Sequence, residues 1–226
     1  MIIVLDAGHG NTNKVGAYDP GATGNGMKEA DLTLDICKRI QERLGRKYLA
    51  VVRLAPRGEL PERTRFANDC DADLFLSIHI NAGGGTGFES YVYPGAGEKT
   101  RKLRDTIHDT VMEFLKQYDL ANRGKKGKDL YVLRETRMPA ILLECLFIDN
   151  EKDAALLADA GFRDKLSNEI AFGVAQAIGL KEAGYDPCAN CQRASELTAE
   201  RDRLRAENAK YRQVVSAIRN YIADLD

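Results

Sequence analysis

The sequence predicts an α/β fold: a mixed, mostly parallel sheet flanked by helices, followed by a C-terminal coiled-coil helix. Three observations carry this. Short apolar runs alternate with longer segments of helical period over residues 1–180. Isolated histidines and carboxylates sit at or near the ends of those runs. Past a turn-rich break the composition shifts to charged residues on a heptad.

Each element follows in order. Ile2-Ile3-Val4-Leu5 opens the chain as a buried strand over 2–6. Asn11 to Met27 is rich in glycine and carries Pro20, so it reads as a long loop, and loops of that length usually serve function. Its place between His9 and Glu29 lets the chain bend so that both face one point. Leu32, Leu34, Ile36, Cys37, Ile40 and Leu44 recur near a 3.6-residue period and predict a helix over 29–46. Strands are expected over 48–54, 73–79, 88–93, 129–134 and 140–145, and helices over 60–70, 97–118, 151–158 and 162–179. The basic run Arg123-Gly124-Lys125-Lys126-Gly127-Lys128 reads as a solvated loop before the strand at 129–134.

Bulk properties exclude several classes. With 33 basic and 34 acidic residues among 226, the chain lacks the electrostatic footprint of a nucleic-acid binder. No apolar run approaches the roughly 20 residues needed to span a bilayer. The N-terminal apolar stretch is short and lacks a basic region, so no signal peptide is expected and synthesis in the cytoplasm is. Cysteines 37, 70, 145, 188 and 191 form no disulfide framework. Cys37 and Cys145 read as buried thiols. Cys188 and Cys191 make a lone Cys-x-x-Cys with no further ligands after His108, and read as thiols in a linker.

Gly184-Tyr185-Asp186-Pro187 marks the break, giving a first domain over 1–180, a linker over 181–193 and a helix over 194–226. Leu197, Leu204, Tyr211, Ile218 and Leu225 are spaced by seven, with Arg201, Asn208, Val215 and Ile222 as the companion row. Such a seam predicts a parallel homodimer, with Asn208 setting register at some cost in stability and Arg201 weakening its start. A single amphipathic helix docked on the first domain is the simpler alternative.

The chemistry rests on four residues. His9 follows the first strand between Gly8 and Gly10, and His79 ends the run Leu74-Phe75-Leu76-Ser77-Ile78. Glu144 interrupts Ala140-Ile141-Leu142-Leu143, where an unpaired charge would cost several kcal/mol. Glu29 precedes the first helix. His9, His79 and Glu144 lie at the carboxyl ends of strands, where open α/β sheets place their sites. Two imidazoles and one carboxylate make a zinc site with one position open, and the second carboxylate can act as base. Spacing alone leaves open which glutamate binds and which catalyses. A lone histidine such as His108, on a helix, reads as a packed residue. Gly8 and Gly10 do not form a phosphate loop, because no helix opens there and no Gly-Lys-Ser/Thr follows.

Asp6-Ala7-Gly8-His9-Gly10, Lys28-Glu29-Ala30-Asp31-Leu32, Arg63-Thr64-Arg65-Phe66-Ala67-Asn68, Ser77-Ile78-His79-Ile80-Asn81-Ala82 and Leu143-Glu144-Cys145-Leu146-Phe147-Ile148-Asp149-Asn150 resemble, in order, the zinc-dependent N-acetylmuramoyl-L-alanine amidases of the type 3 family. The resemblance implies that His9, Glu29 and His79 bind Zn2+ and that Glu144 is catalytic, with Arg63 and Asn81 as candidate substrate contacts. Peptidoglycan is then the substrate, cut between N-acetylmuramic acid and L-alanine. Without a leader the chain fits a phage endolysin that reaches the cell wall after release. The basic run could then touch an acidic wall polymer or a peptide carboxylate. Cys145-Leu146 departs from the family, where an apolar residue followed by glycine is common. The rival readings are a non-catalytic coiled-coil wall-binding protein and a zinc exopeptidase.

Overall fold

The computed structural model describes residues 1–11, 18–183 and 203. The first of two compact units runs Met1–Glu182. The expected seam residues Leu197, Leu204, Asn208, Tyr211, Val215, Ile218, Ile222 and Leu225 lie outside the described residues, as do Cys188 and Cys191.

In chain order the elements begin with β1 (Ile2–Ala7). Two small ribbons follow, β2 (Gly10–Asn11) with β3 (Tyr18–Asp19), then β4 (Thr23–Gly24) with β5 (Met27–Lys28). Then come α1 (Glu29–Tyr48), β6 (Val51–Leu54), α2 (Leu60–Asp69), β7 (Leu74–Asn81), β8 (Phe88–Val92) and α3 (Glu98–Leu115). The unit closes with β9 (Asn122–Gly127), α4 (Tyr131–Arg134), β10 (Ala140–Phe147), α5 (Glu151–Ala158) and α6 (Ala160–Ile178). The main sheet has the order β6-β1-β7-β10-β8-β9. Only the β10–β8 ladder is antiparallel, so the sheet is mostly parallel as expected.

Strand alternation divides the core in two. Ile3, Leu5, Leu76, Ile78, Ile141 and Leu143 face one layer and meet α1, α3 and α6 there. The α1 stripe Leu32, Ile36, Cys37, Ile40 and Leu44 is buried against that layer. Its spacing is what lets one helical face cover the sheet. Val4, Phe75, Ala140 and Leu142 point to the opposite face, covered by residues of α2 and α4 such as Ala67, Val132 and Leu133. Among the described residues, two short helices cover this second face. Among the described residues no helix is long and apolar enough to cross a membrane.

Two expectations are corrected. Residues 129–134 form no strand; the turn of helix α4 occupies 131–134. Val132 and Leu133 are adjacent and both buried. A strand would point one of them away from this core, whereas a helical turn brings both to it. The basic run is not a free loop either. Residues 122–127 pair in parallel with β8 as the sheet's edge strand. A lysine-rich edge is compatible with sheet structure because exposed charge discourages further strand pairing.

Candidate metal centre

The open face of the sheet carries its polar residues in rows. Register places Asp6 beside Ser77, Ser77 beside Leu142 and Leu142 beside Tyr91. One step toward the strand ends, His79 lies beside Glu144 and Glu144 opposite Glu89. His9 joins this second row from the turn after β1.

Glu29, buried at the first position of α1, is the hub. Its Oε1 lies 2.9 Å from His79 Nδ1, and its Oε2 lies 3.2 Å from His9 Nε2. Backbone N–H groups of Ile80 and Ala22 donate to the same two oxygens. Burial alone would raise its pKa, but these donors and the histidines outweigh it and hold the carboxyl below its ordinary value. The reciprocal effect raises His79: burial disfavours its charge, yet Glu29 and Glu144 more than offset that. One donor atom each from His9, Glu29 and His79 lies within 4.8 Å of the others. Two imidazole nitrogens and a carboxylate at that separation are a donor set suited to a divalent transition metal.

Local backbone chemistry explains how His9 arrives there. It adopts φ 61°, a left-handed conformation uncommon outside glycine. Three grips hold it. Arg63 Nη2 donates to its carbonyl at 2.9 Å, Asp19 Oδ2 lies 2.7 Å from its Nδ1, and Glu29 faces its Nε2. Carboxylate contact at Nδ1 selects the tautomer whose Nε2 is free to coordinate. Two glycines make room. A Cβ on Gly8 would sit 2.5 Å from His79 Cε1, and one on Gly21 would sit 2.6 Å from both Glu29 Oε2 and His9 Cδ2.

Arg63 lines the cleft but spends most of its hydrogen-bonding capacity on the protein itself. Its guanidinium is buried and commits four of its five N–H groups, to Asp6 Oδ1 at 2.8 Å and to the carbonyls of Gly58, Ala7 and His9. Asp6 also accepts from Ser77 Oγ at 2.6 Å. The buried pair therefore fixes the turn that delivers His9. Asn81, at the end of β7, donates to Glu89 Oε1 at 2.5 Å and remains half-buried.

Glu144 and Glu89 are opposite neighbours with contrasting environments. Glu89 is buried but receives Lys126, Arg123 and Asn81; hydrogen bonds from Lys126 and Tyr91, with the charges of Lys126 and Arg123, hold its pKa down against the effect of burial. Glu144 has no such support, and its buried Oε2 makes no hydrogen bond. Burial, together with the negative charges of Glu29 and Glu89, pushes its pKa up to about 7 against the pull of His79. Such a split holds one carboxyl as a paired anion and leaves the other near neutrality, a pattern that carboxylate pairs in acid–base sites share. Beside them a cleft of about 420 Å³ is lined by His9, Asp19, Glu59, Leu60, Tyr131 and Leu142 among others.

His108 is a packed core residue, buried between Ser90 Oγ at 2.8 Å and Asn122 Oδ1 at 3.0 Å. Sequence reasoning missed the roles of Asp19 and Glu89. Glu89 carried the signal that exposed Glu144, a carboxylate within an apolar run. Asp19 lies in the glycine-rich loop, where periodicity gives no guidance.

The family model described as N-acetylmuramoyl-L-alanine amidase matches residues 3–176. The chain is 44% identical over 185 residues to a sporulation-specific N-acetylmuramoyl-L-alanine amidase of Bacillus subtilis, covering 80% of this chain and 69% of that protein. It is 42% identical over 188 residues to an endolysin of Bacillus phage SPP1, covering 80% and 67%. Among solved structures, the catalytic domain of the amidase CwlV from Bacillus (Paenibacillus) polymyxa superposes with a TM-score of 0.70. Identity there is 29%, over 80% of this chain and 99% of that one.

Proposed function

We propose, on the premise that this chain belongs to the N-acetylmuramoyl-L-alanine amidase family, that it is a zinc-dependent hydrolase of peptidoglycan. The bond cut is the amide joining the lactyl group of N-acetylmuramic acid to L-alanine of the stem peptide. The observation that carries this is the convergence of His9, Glu29 and His79 with an unpartnered Glu144 beside them.

His9 through Nε2, Glu29, and His79 through Nδ1 would hold the ion. When bound, zinc supplies Lewis acidity, polarising a carbonyl and making water more acidic. The protein's own part is proton traffic and positioning. Glu144 Oε2, free of any hydrogen bond, takes the proton of the attacking water and delivers it to the departing amine. A carboxyl poised near neutrality is matched to both halves of that task. Asp19 and Arg63 hold His9, and Glu89 with its cations supports the strand opposite Glu144.

A binding-only role gives no reason to keep an unsatisfied carboxyl oxygen in an apolar strand. The endolysin among the relatives supports a phage setting with action at the cell wall, and the sporulation amidase supports the same chemistry in a bacterium. We propose in addition that the heptad residues beyond 194 pair two chains.

Digestion of purified peptidoglycan tests the bond. Release of new L-alanine amino termini is expected from the wild type, with turnover lowered about 100- to 10,000-fold in Glu144→Gln. One zinc per chain is expected by metal analysis. Full zinc in a His9→Ala, His79→Ala double variant refutes the ligand assignment, and new termini other than L-alanine refute the amidase.

A further inference from the structure

We propose that Lys128 is a specificity determinant of this site, receiving a carboxylate on the peptide leaving group one residue beyond the bond that is cut. The inference rests on the amidase reading above.

The structure sorts the basic run by what each cation does. Arg123 lies 3.2 Å from Glu89, and Lys126 binds the same carboxylate. Lys125 pairs with Asp109 at 2.8 Å. All three are committed to the protein. Lys128 is exposed and forms no ion pair among the described residues.

Its position is what gives that charge meaning. The Lys128 N–H donates to Val92 O at 3.0 Å, prolonging the edge strand alongside β8. Its Nζ lies 5.7 Å from the centroid of the Tyr91 ring. Tyr91 is opposite Leu142, two residues before Glu144 on the same sheet face. Lys128 therefore stands over the open face, on the side of Glu144 away from His9. Its positive charge reaches the Glu144 carboxyl and favours ionisation there.

The leaving amine must come within hydrogen-bond reach of Glu144 to collect its proton. From that nitrogen an extended peptide reaches the α-carbon of the next residue after about 5 Å, and a carboxylate on that carbon after about 6–7 Å. Strands β10 and β9 are two sheet spacings apart, roughly 9.5 Å, and the register sets the Lys128 backbone level with Ala140, roughly 13 Å along the sheet from Glu144; the four-carbon stem, lying over Tyr91, carries the ammonium back across part of that separation. A stem whose second residue is glutamate joined through its side chain offers a free α-carboxylate at that point. A stem amidated there offers a neutral carboxamide. The alternative is that Lys128 only keeps the sheet edge soluble.

The test uses the full chain loaded with zinc and two soluble disaccharide tetrapeptides. They differ only in carrying an α-carboxylate or an α-carboxamide on the second residue. For the wild type we expect a KM about three- to tenfold lower on the carboxylate form, as for a charge-assisted contact open to solvent. That ratio should fall to about one in Lys128→Met and be recovered in Lys128→Arg. Equal KM values in the wild type, or a ratio that survives Lys128→Met, overturn the inference and leave the amidase standing. Failure to cut either compound overturns both.

Discussion

Glu144→Gln should stabilise the metal-free protein while it abolishes turnover, and the gain should depend on pH. The folded state raises the carboxyl from an ordinary 4.5 to about 7. Below pH 4.5 the group is protonated in both folded and unfolded chains and contributes nothing. Between 4.5 and 7 the unfolded chain ionises first, which favours unfolding. Above 7 the full penalty is present, about 3 kcal/mol at 1.36 kcal/mol per pH unit. Glutamine removes that penalty but leaves a buried amide without partners, at a cost of about 1 kcal/mol. The net effect is a loss of about 1 kcal/mol at pH 4, where no charge penalty remains to be removed, and a gain of about 2 kcal/mol at pH 8. For a domain of this size that corresponds to a Tm gap of about 4–8 °C. Thermal melts of both proteins after chelation, at pH 4.5 and pH 8, read it directly. Other titrating groups are shared, so the difference between the two isolates Glu144. A gap that stays constant, or that closes as pH rises, refutes the reading of Glu144 as an uncompensated buried acid.

Arg63→Met should strip Asp6 of its cation and His9 of a carbonyl grip; removing one partner of a buried pair costs about 3–5 kcal/mol. Urea unfolding measures it, and a loss under about 1 kcal/mol would return Arg63 to the class of free substrate contacts. Asp19→Asn should leave the fold intact and weaken zinc binding about 10- to 100-fold, followed by competition with a chromophoric chelator. Unchanged zinc affinity would reduce the Asp19–His9 contact to packing. Light scattering should give a dimer for the full chain and a monomer for a truncation after residue 183; a monomeric full chain refutes the heptad seam.

Much of this architecture is legible in the sequence because burial is periodic. The α1 stripe and the runs at 2–7, 74–81 and 140–147 announce themselves by spacing and apolar content. Legibility fails where a local feature is decided by a distant partner. The run at 122–127 reads as solvent-exposed because its side chains are charged, yet its backbone pairs with β8. Residues 129–134 read as a strand because their centre is apolar, although Val132 and Leu133, adjacent and both buried in one cluster, need a helical turn to face it together. Glu29 is legible only through the resemblance, since an acidic residue opening a helix is ordinary on dipole grounds. Cys145-Leu146 shows the same limit from the other side. Between Glu144 and Phe147 the strand register shifts in a bulge, and Leu146 takes φ 72° there while fully buried. A left-handed residue inside a bulge accounts for the glycine common at this position in the family. Here leucine accepts a backbone strain of about 1–2 kcal/mol, while truncating a buried leucine costs about 2–5 kcal/mol. Side-chain burial outweighs backbone comfort at this point, and the strand that carries Glu144 keeps its bend without the glycine.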